Sequence, residues 1–269
     1  MTSDSHTLST WWGSFKFNNG QCRQWHIGPL TLIVRYTGCE WQVAYEQEDD
    51  FDGNDVSWES TESDRLPESF DNNSRYIFRE TTEILTITPL LADRPIIARP
   101  LTPFNLTAGE EATLYVSSPL WLELSVGSAE KKILCEIAIQ RLSDTWFGPS
   151  TREGKLCYAS TTHCRLNLEE LPHRPHRAIT PIFIQNQADT TLSLERLNLP
   201  APLLSIYFAE SRQLWTPKVT LLREKDGDMA ELNIDMKPPE EAQQSVQLIE
   251  PRKTNGSNAL IRAFNAVFS

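Results

Sequence analysis

Apolar and polar residues alternate along most of this chain with the two-residue period of strands. Between residues 11 and 46 the runs WWGSFKF, CRQWHIG, LTLIVRY and EWQVAYE are separated by Asn18-Asn19-Gly20, Gly28-Pro29 and Thr37-Gly38. Such punctuation predicts a meander of about four strands. The pattern lapses over residues 46–71, where aliphatic residues are too few to bury and a solvated loop is expected. It resumes at SRYIFR and EILTIT, crosses a Pro-punctuated segment at 93–103, and continues through ATLYVSSPLWLELSV and KKILCEIAIQ. After a loop at 143–154 come KLCYAST, HCRLNL, TPIFIQN, TLSLERL, LLSIYFA, KVTLLRE and MAELNID, with Asp226-Gly227 as a hairpin turn between the last two. Residues 237–249 read as a linker. Beyond it Leu260, Ile261, Phe264, Val267 and Phe268 fall at i, i+1, i+4, i+7 and i+8, which predicts an α-helix over 256–269 capped by Ser257 or Asn258. So short a helix needs an apolar surface to dock on.

No long helix alternates with the strands, so the pattern predicts an all-β fold: an antiparallel β-sandwich, as one large or two packed units, with a short C-terminal helix. The expected organisation is a meander with its acidic loop over 1–80, a sandwich region over 81–236, the linker and the helix. A boundary is expected near residue 80 or 140. A chain of 269 residues can bury a sizeable core, and seventeen Pro against eleven Gly disfavour long helices.

The net charge of -11 is local rather than global. Residues 46–71 hold eleven carboxylates against Arg65 alone, a net of -10, and the rest of the chain is close to neutral. With no basic patch to offset that field, nucleic acid is not an expected partner. No basic, apolar leader opens the sequence, and no apolar run reaches the roughly 20 residues of a membrane span. Five scattered Cys suit reduced thiols better than a disulfide framework. Together these features predict a soluble, cytoplasmic protein.

Several separated segments resemble one family: WWGSFKF with QWHIGPLTL, LADRPIIARP, GEEATLYVSSPLW, SDTWFGPSTREGKLCYAS, and LERLNLPAPLLSIY followed by LIRAFNAVF. They are similar to the prokaryotic domain-of-unknown-function family numbered 432, over nearly the whole chain. The resemblance brings no catalytic residues. What it implies is an association, through gene neighbourhood, with membrane channels of the small-conductance mechanosensitive class.

The candidate chemistry is sparse. Cys157, His163, Cys164, His173 and His176 lie within twenty residues, but without a C-x-x-C they read as core Cys and surface His rather than a zinc site. Glu48, Asp50, Asp52, Gly53 and Glu59 match places of a calcium-loop template. A Glu at the first ligand, Asp55 at an apolar place and strand flanks make that a coincidence of an acidic run. No metal or cofactor is expected, since phosphate-cradling Gly motifs and nucleophile elbows are both absent. If the loops at 143–154 and 173–177 converge, Arg152, Arg174, His176 and Arg177 form a candidate grip for a phosphate or carboxylate, with Arg94 and Arg99 as neighbours. Bracing of the loops by those Arg side chains is the competing reading. Trp11 and Trp12 are adjacent and cannot both face inward on one strand, so at least one is expected at an edge or interface. The leading expectation is a non-catalytic cytoplasmic interaction module that contacts a protein partner through Trp11 and Trp12 or through Leu260, Ile261, Phe264 and Phe268. The alternative is a small-anion binding protein or enzyme at the Arg/His loops.

Overall fold

The computed structural model describes residues 10–48, 58–63, 70, 72–80, 82–100, 102–127, 130–150, 152–162, 164–254 and 259–264. The chain is nearly all β and divides into two compact units, residues 1–90 with 121–141 and residues 91–120 with 142–269. Unit 1 begins with β1 (Gly13–Lys16), β2 (Cys22–Ile27), β3 (Leu30–Tyr36), β4 (Glu40–Gln47), β5 (Trp58–Ser63), β6 (Asn72–Ile77) and β7 (Ile84–Leu90). The chain then gives β8 (Ile96–Pro100), β9 (Phe104–Leu106) and β10 (Glu111–Pro119) to unit 2, and returns to unit 1 for β11 (Trp121–Val126) and β12 (Lys132–Ala138). Unit 2 continues with β13 (Ser143–Phe147), β14 (Lys155–Thr162), β15 (Arg177–Asn186), β16 (Leu192–Leu194), β17 (Leu197–Leu199), β18 (Ile206–Phe208) and β19 (Leu214–Trp215). It closes with β20 (Val219–Arg223), β21 (Met229–Ile234), β22 (Val246–Ile249) and β23 (Ala259–Arg262).

Unit 1 has two antiparallel sheets, ordered β5-β2-β3-β4-β6 and β1-β7-β11-β12. The consecutive hairpins of β2, β3 and β4 are the expected meander, but β1 leaves it and pairs with β7 in the other sheet. Aromatic rings join the two: Phe15 meets Trp25 edge-on at 5.3 Å and Phe17 meets Trp41 at 5.1 Å. Trp25, Trp41 and Phe17 are wholly buried, and edge-on aromatic pairs add about 0.5–1.5 kcal/mol beyond area burial. The Arg23 guanidinium lies over Phe15, Phe17 and Trp25 at 5.6–5.9 Å. On β12 a register shift opposite Leu124 and Ser125 makes a bulge, which blunts that sheet edge against further pairing.

Within the acidic run, residues 58–63 form β5 instead of a loop. The strand lies along β2 with Glu62 opposite Arg23, and a cross-strand pair of opposite charge supports such a pairing. Asp50, Asp52, Gly53 and Asp55 of the calcium-like template lie outside the described residues.

Unit 2 is mixed rather than purely antiparallel. Its largest sheet runs β22-β18-β19-β15-β20-β21-β23, with β10 also on β15. β10 pairs with β15 antiparallel over nine positions, whereas β19 and then β20 share its other edge in parallel. The break between β19 and β20 falls at Pro217, which has no N–H to continue a ladder. A second sheet has the order β13-β14-β8-β17, with a parallel pairing of β14 and β8, and β16 pairs with β9. Of HCRLNL, the described residues 164–168 form no strand; Arg165 bridges to Tyr115, and Leu168–Glu170 is a 3-10 turn. The expected linker is built into the unit, since Ala242 packs with Ile179, Tyr207 and Trp215, and Val246–Ile249 is β22.

The expected C-terminal helix is corrected to a strand. Ala259–Arg262 pair antiparallel with Met229–Leu232, Phe264 bridges to Leu197, and Phe264 is wholly buried. Apolar residues at 260, 261 and 264 satisfy helical spacing, but a single short helix is marginal in water while the free edge of β21 offers backbone partners. Phe268 lies outside the described residues. Replacing Phe264 with Ala should cost about 3–5 kcal/mol of stability, read from urea unfolding midpoints. A loss below about 0.5 kcal/mol would place this segment outside the core.

Candidate functional site

The Arg/His residues expected to grip an anion do not meet in an open site. Arg174, His176 and Arg177 are buried at the entrance to β15. There the Leu120 N–H donates to the His176 carbonyl and the Arg177 N–H to the Arg174 carbonyl. The Arg177 guanidinium reaches back across the ladder to Ser117, donating to its hydroxyl at 3.1 Å and its carbonyl at 2.9 Å, while Gln213 donates to the Arg177 carbonyl. The Arg177 side chain braces the sheet. The expectation of surface His fails at His176, which is wholly buried, although His173 is exposed. Arg152 is exposed, and Arg94 is paired with Asp144 at 3.0 Å and stacked on Tyr158. Of the expected contact residues, Trp11 is wholly buried and meets the half-buried Trp12 edge-on at 5.1 Å.

What unit 2 does present is a cleft of about 610 Å³, within the usual range for small-molecule sites. Four segments far apart in sequence line it: Pro95; residues 147–149 with 153–155 and Cys157; Asn198, Pro200, Pro202 and Leu203; and Ile261 with Arg262. Met229, Leu232 and Lys253 complete the wall. Four of the lining residues are Pro (Pro95, Pro149, Pro200 and Pro202), whose fixed φ keeps a wall in shape before any ligand arrives.

Local chemistry fixes the hairpin loop between β13 and β14. Its neck pairs Phe147 with Lys155. Trp146 Nε1 donates to the Ser150 carbonyl at 2.8 Å, and the Ser150 hydroxyl accepts from the N–H groups of Arg152 and Glu153. Inside the neck Gly148 and Gly154 touch back to back. A Cβ on Gly148 would stand 2.0 Å from the Glu153 carbonyl oxygen, and one on Gly154 2.7 Å from that of Phe147. Only glycines close this loop.

On the opposite wall the Lys253 N–H donates to the Pro202 carbonyl, and Asn198 donates from its backbone to Ala263 and from its side chain to Arg262. Arg262 is held by Asp228 at 2.9 Å. The charged lining is Lys155, Lys253 and Arg262 against the single carboxylate Glu153, a net of +2 in a chain of -11.

Cys157 is the only thiol on the lining. Burial pushes it up to about 11, overriding the opposite pull of the Lys155 and Arg94 charges. It stays protonated at neutral pH and is a poor nucleophile. Among the described residues no group of three or more His, Cys, Asp and Glu side chains could hold a metal ion, and no helix is long and apolar enough to cross a membrane.

Sequence reasoning missed Lys155, Lys253, Arg262 and Asn198. The available signal was the clustering of Pro and Gly in WFGP and LNLPAPL, which marks rigid connections, while the separate cations carry no motif.

The chain belongs to the family described as "Protein of unknown function (DUF432)", whose model matches residues 11–269. No curated protein and no solved structure matches it. Pro95, the 143–160 segment, LERLNLPAPLLSIY and LIRAFNAVF, four of the stretches that carry the family resemblance, all contribute to the cleft wall.

Gly148→Ala should therefore cost on the order of 1–3 kcal/mol by forcing the hairpin neck apart, measured by thermal or urea unfolding. Full stability in that variant would show that the neck opens freely. Thiol chemistry offers a second check. At pH 8 iodoacetamide should label the exposed Cys39 first and leave Cys157 untouched until the chain unfolds, as read by peptide mass spectrometry. The raised Cys157 pKa also means that the unfolded chain ionises first, so this thiol costs stability as pH climbs from about 9 to about 11.

Proposed function

We propose that this DUF432 member is a non-catalytic accessory module that works by binding, with the cleft of unit 2 as its ligand site. The observation that carries the reading is the convergence of four remote segments on one cleft whose wall is shared almost evenly between polar and apolar surface. Its lining pairs no nucleophile with a base, and its one thiol keeps its proton. Of the residues expected to contact a partner, Trp11 and Phe264 are core residues, whereas Trp12 and Ile261 are half-buried, so the cleft is the better supported contact site. For the alternative Arg/His site, Arg177 is engaged with Ser117 and Arg174 and His176 are buried, which favours the cleft over it. A module that holds a ligand without transforming it must act through what it docks on. Association with a membrane channel, as the resemblance implies, and a cytoplasmic location belong to the same proposal.

A thermal-shift screen of small apolar compounds with negative, positive or no charge tests this reading, because a ligand of the native state raises stability by mass action. At a hundred times its Kd a hit adds about 2.7 kcal/mol. Hits should lose their effect in Met229→Trp, which fills the cleft from its rim, and should be recovered unchanged after prolonged incubation with the protein. The proposal fails if no compound shifts the wild type, if hits survive the blocked cleft, or if the protein converts them chemically.

A further inference from the structure

We infer that the cleft takes an amphipathic anion, an apolar body ending in a phosphate-like group, an inference that rests on the cleft being the ligand site. The three cations arrive from separate elements: Lys155 from the start of β14, Lys253 from the segment tied to Pro202, and Arg262 from the end of β23. Each is anchored by its backbone or its partner. Lys155 stands at the hairpin neck opposite Phe147, the Lys253 N–H is bonded to the Pro202 carbonyl, and the Arg262 guanidinium is oriented by Asp228 at 2.9 Å. A group with several oxygens can be approached by separated donors at once, whereas a neutral polar group cannot use their charge. Arg262 brings a fork of donors of which Nη1 serves Asp228.

The remainder of the wall asks for the other half of the ligand. Phe147, Leu203, Leu232, Ile261 and the prolines offer apolar surface and, at each Pro, no backbone N–H. An extended polar ligand would lose water there without replacement, while an apolar body would not. A bare inorganic anion would leave this surface unused.

The test is calorimetric titration of the full chain with 1-naphthyl phosphate, 1-naphthol, 1-naphthylmethylamine and inorganic phosphate, which share or lack one apolar body at different charge. Naphthyl phosphate should bind at least ten-fold more tightly than naphthol, the amine more weakly than naphthol, and inorganic phosphate far more weakly than naphthyl phosphate. Added salt should weaken the phosphate and leave naphthol unchanged. In the double variant Lys155→Glu with Lys253→Glu the order of phosphate and amine should reverse; both side chains are exposed, and an unchanged urea midpoint verifies the fold. Equal binding of naphthol and naphthyl phosphate overturns the anion assignment while leaving the cleft as a binding site. An order that survives the double variant overturns it too, and tight binding of inorganic phosphate overturns the amphipathic half. Failure of all the naphthyl compounds overturns the cleft reading together with this one. Cosedimentation with phosphatidylglycerol vesicles would assign the anion to a lipid head group, and binding of naphthyl phosphate without cosedimentation to a free solute.

Discussion

Strand β15 sets the terms for unit 2. Its ten residues pair with β10 on one edge and with β19 and β20 on the other, and all but Phe183 and Gln185 are buried. A strand occupied on both edges and covered on both faces has no water for the polar groups at its ends, so the protein itself must supply their partners. At one end Arg177 does so through Ser117, with Gln213 on the Arg177 carbonyl. At the other, Asn186 donates to the carbonyls of Leu106, Thr107 and Thr190, each at 3.0 Å. The buried Arg223 closes that end by donating to Asn186, Thr190 and Gly227. Leaving any of these groups unpaired in the interior costs about 1–3 kcal/mol, so the two clamps hold the sheet's register.

This demand explains why Arg177 is engaged by the sheet and why the cleft lies elsewhere. Cations recruited to satisfy a buried strand end are spent. Lys155 and Lys253 instead stand exposed near places where ladders stop, and proline is suited to stopping them. Pro95 precedes β8, Pro149 sits in the β13–β14 hairpin loop, and Pro200 and Pro202 follow β17. The cleft is the meeting place of these interrupted ends, walled by residues that cannot extend a strand into it.

Much of the fold was legible because strand runs and turn residues are local signals. The hairpins of β2 to β4 and the Asp226-Gly227 turn between β20 and β21 follow from alternation and from glycine's tolerance of φ near +114°. Pairing partners are not local, so the defection of β1 to β7 and the excursion of the chain into unit 2 between Leu90 and Trp121 left no mark in the alternation. The C-terminal segment misleads for a definable reason: six residues can satisfy a period of 3.6 and still lie flat against a sheet edge, and tertiary pairing then overrides the pattern. The candidate site was least legible. The loop at 143–154 was singled out, yet through Arg152, which points no charge into the cleft wall, while Lys155 just beyond its end and Arg262 in the misread tail went unnoticed.

The physical case for binding over chemistry comes from what the cleft keeps constant. Catalysis rewards interactions that strengthen as charge moves, and it needs a group ready to exchange a proton or an electron pair near neutral pH. Here the thiol is held protonated by burial, the Arg262 guanidinium is held by Asp228, and proline and a glycine-locked hairpin hold the walls. Such a surface stabilises a ground-state ligand as well as anything derived from it. Binding energy of that uniform kind lowers a dissociation constant without lowering a barrier, and this is the physical ground on which the cleft of unit 2 is proposed as a binding site.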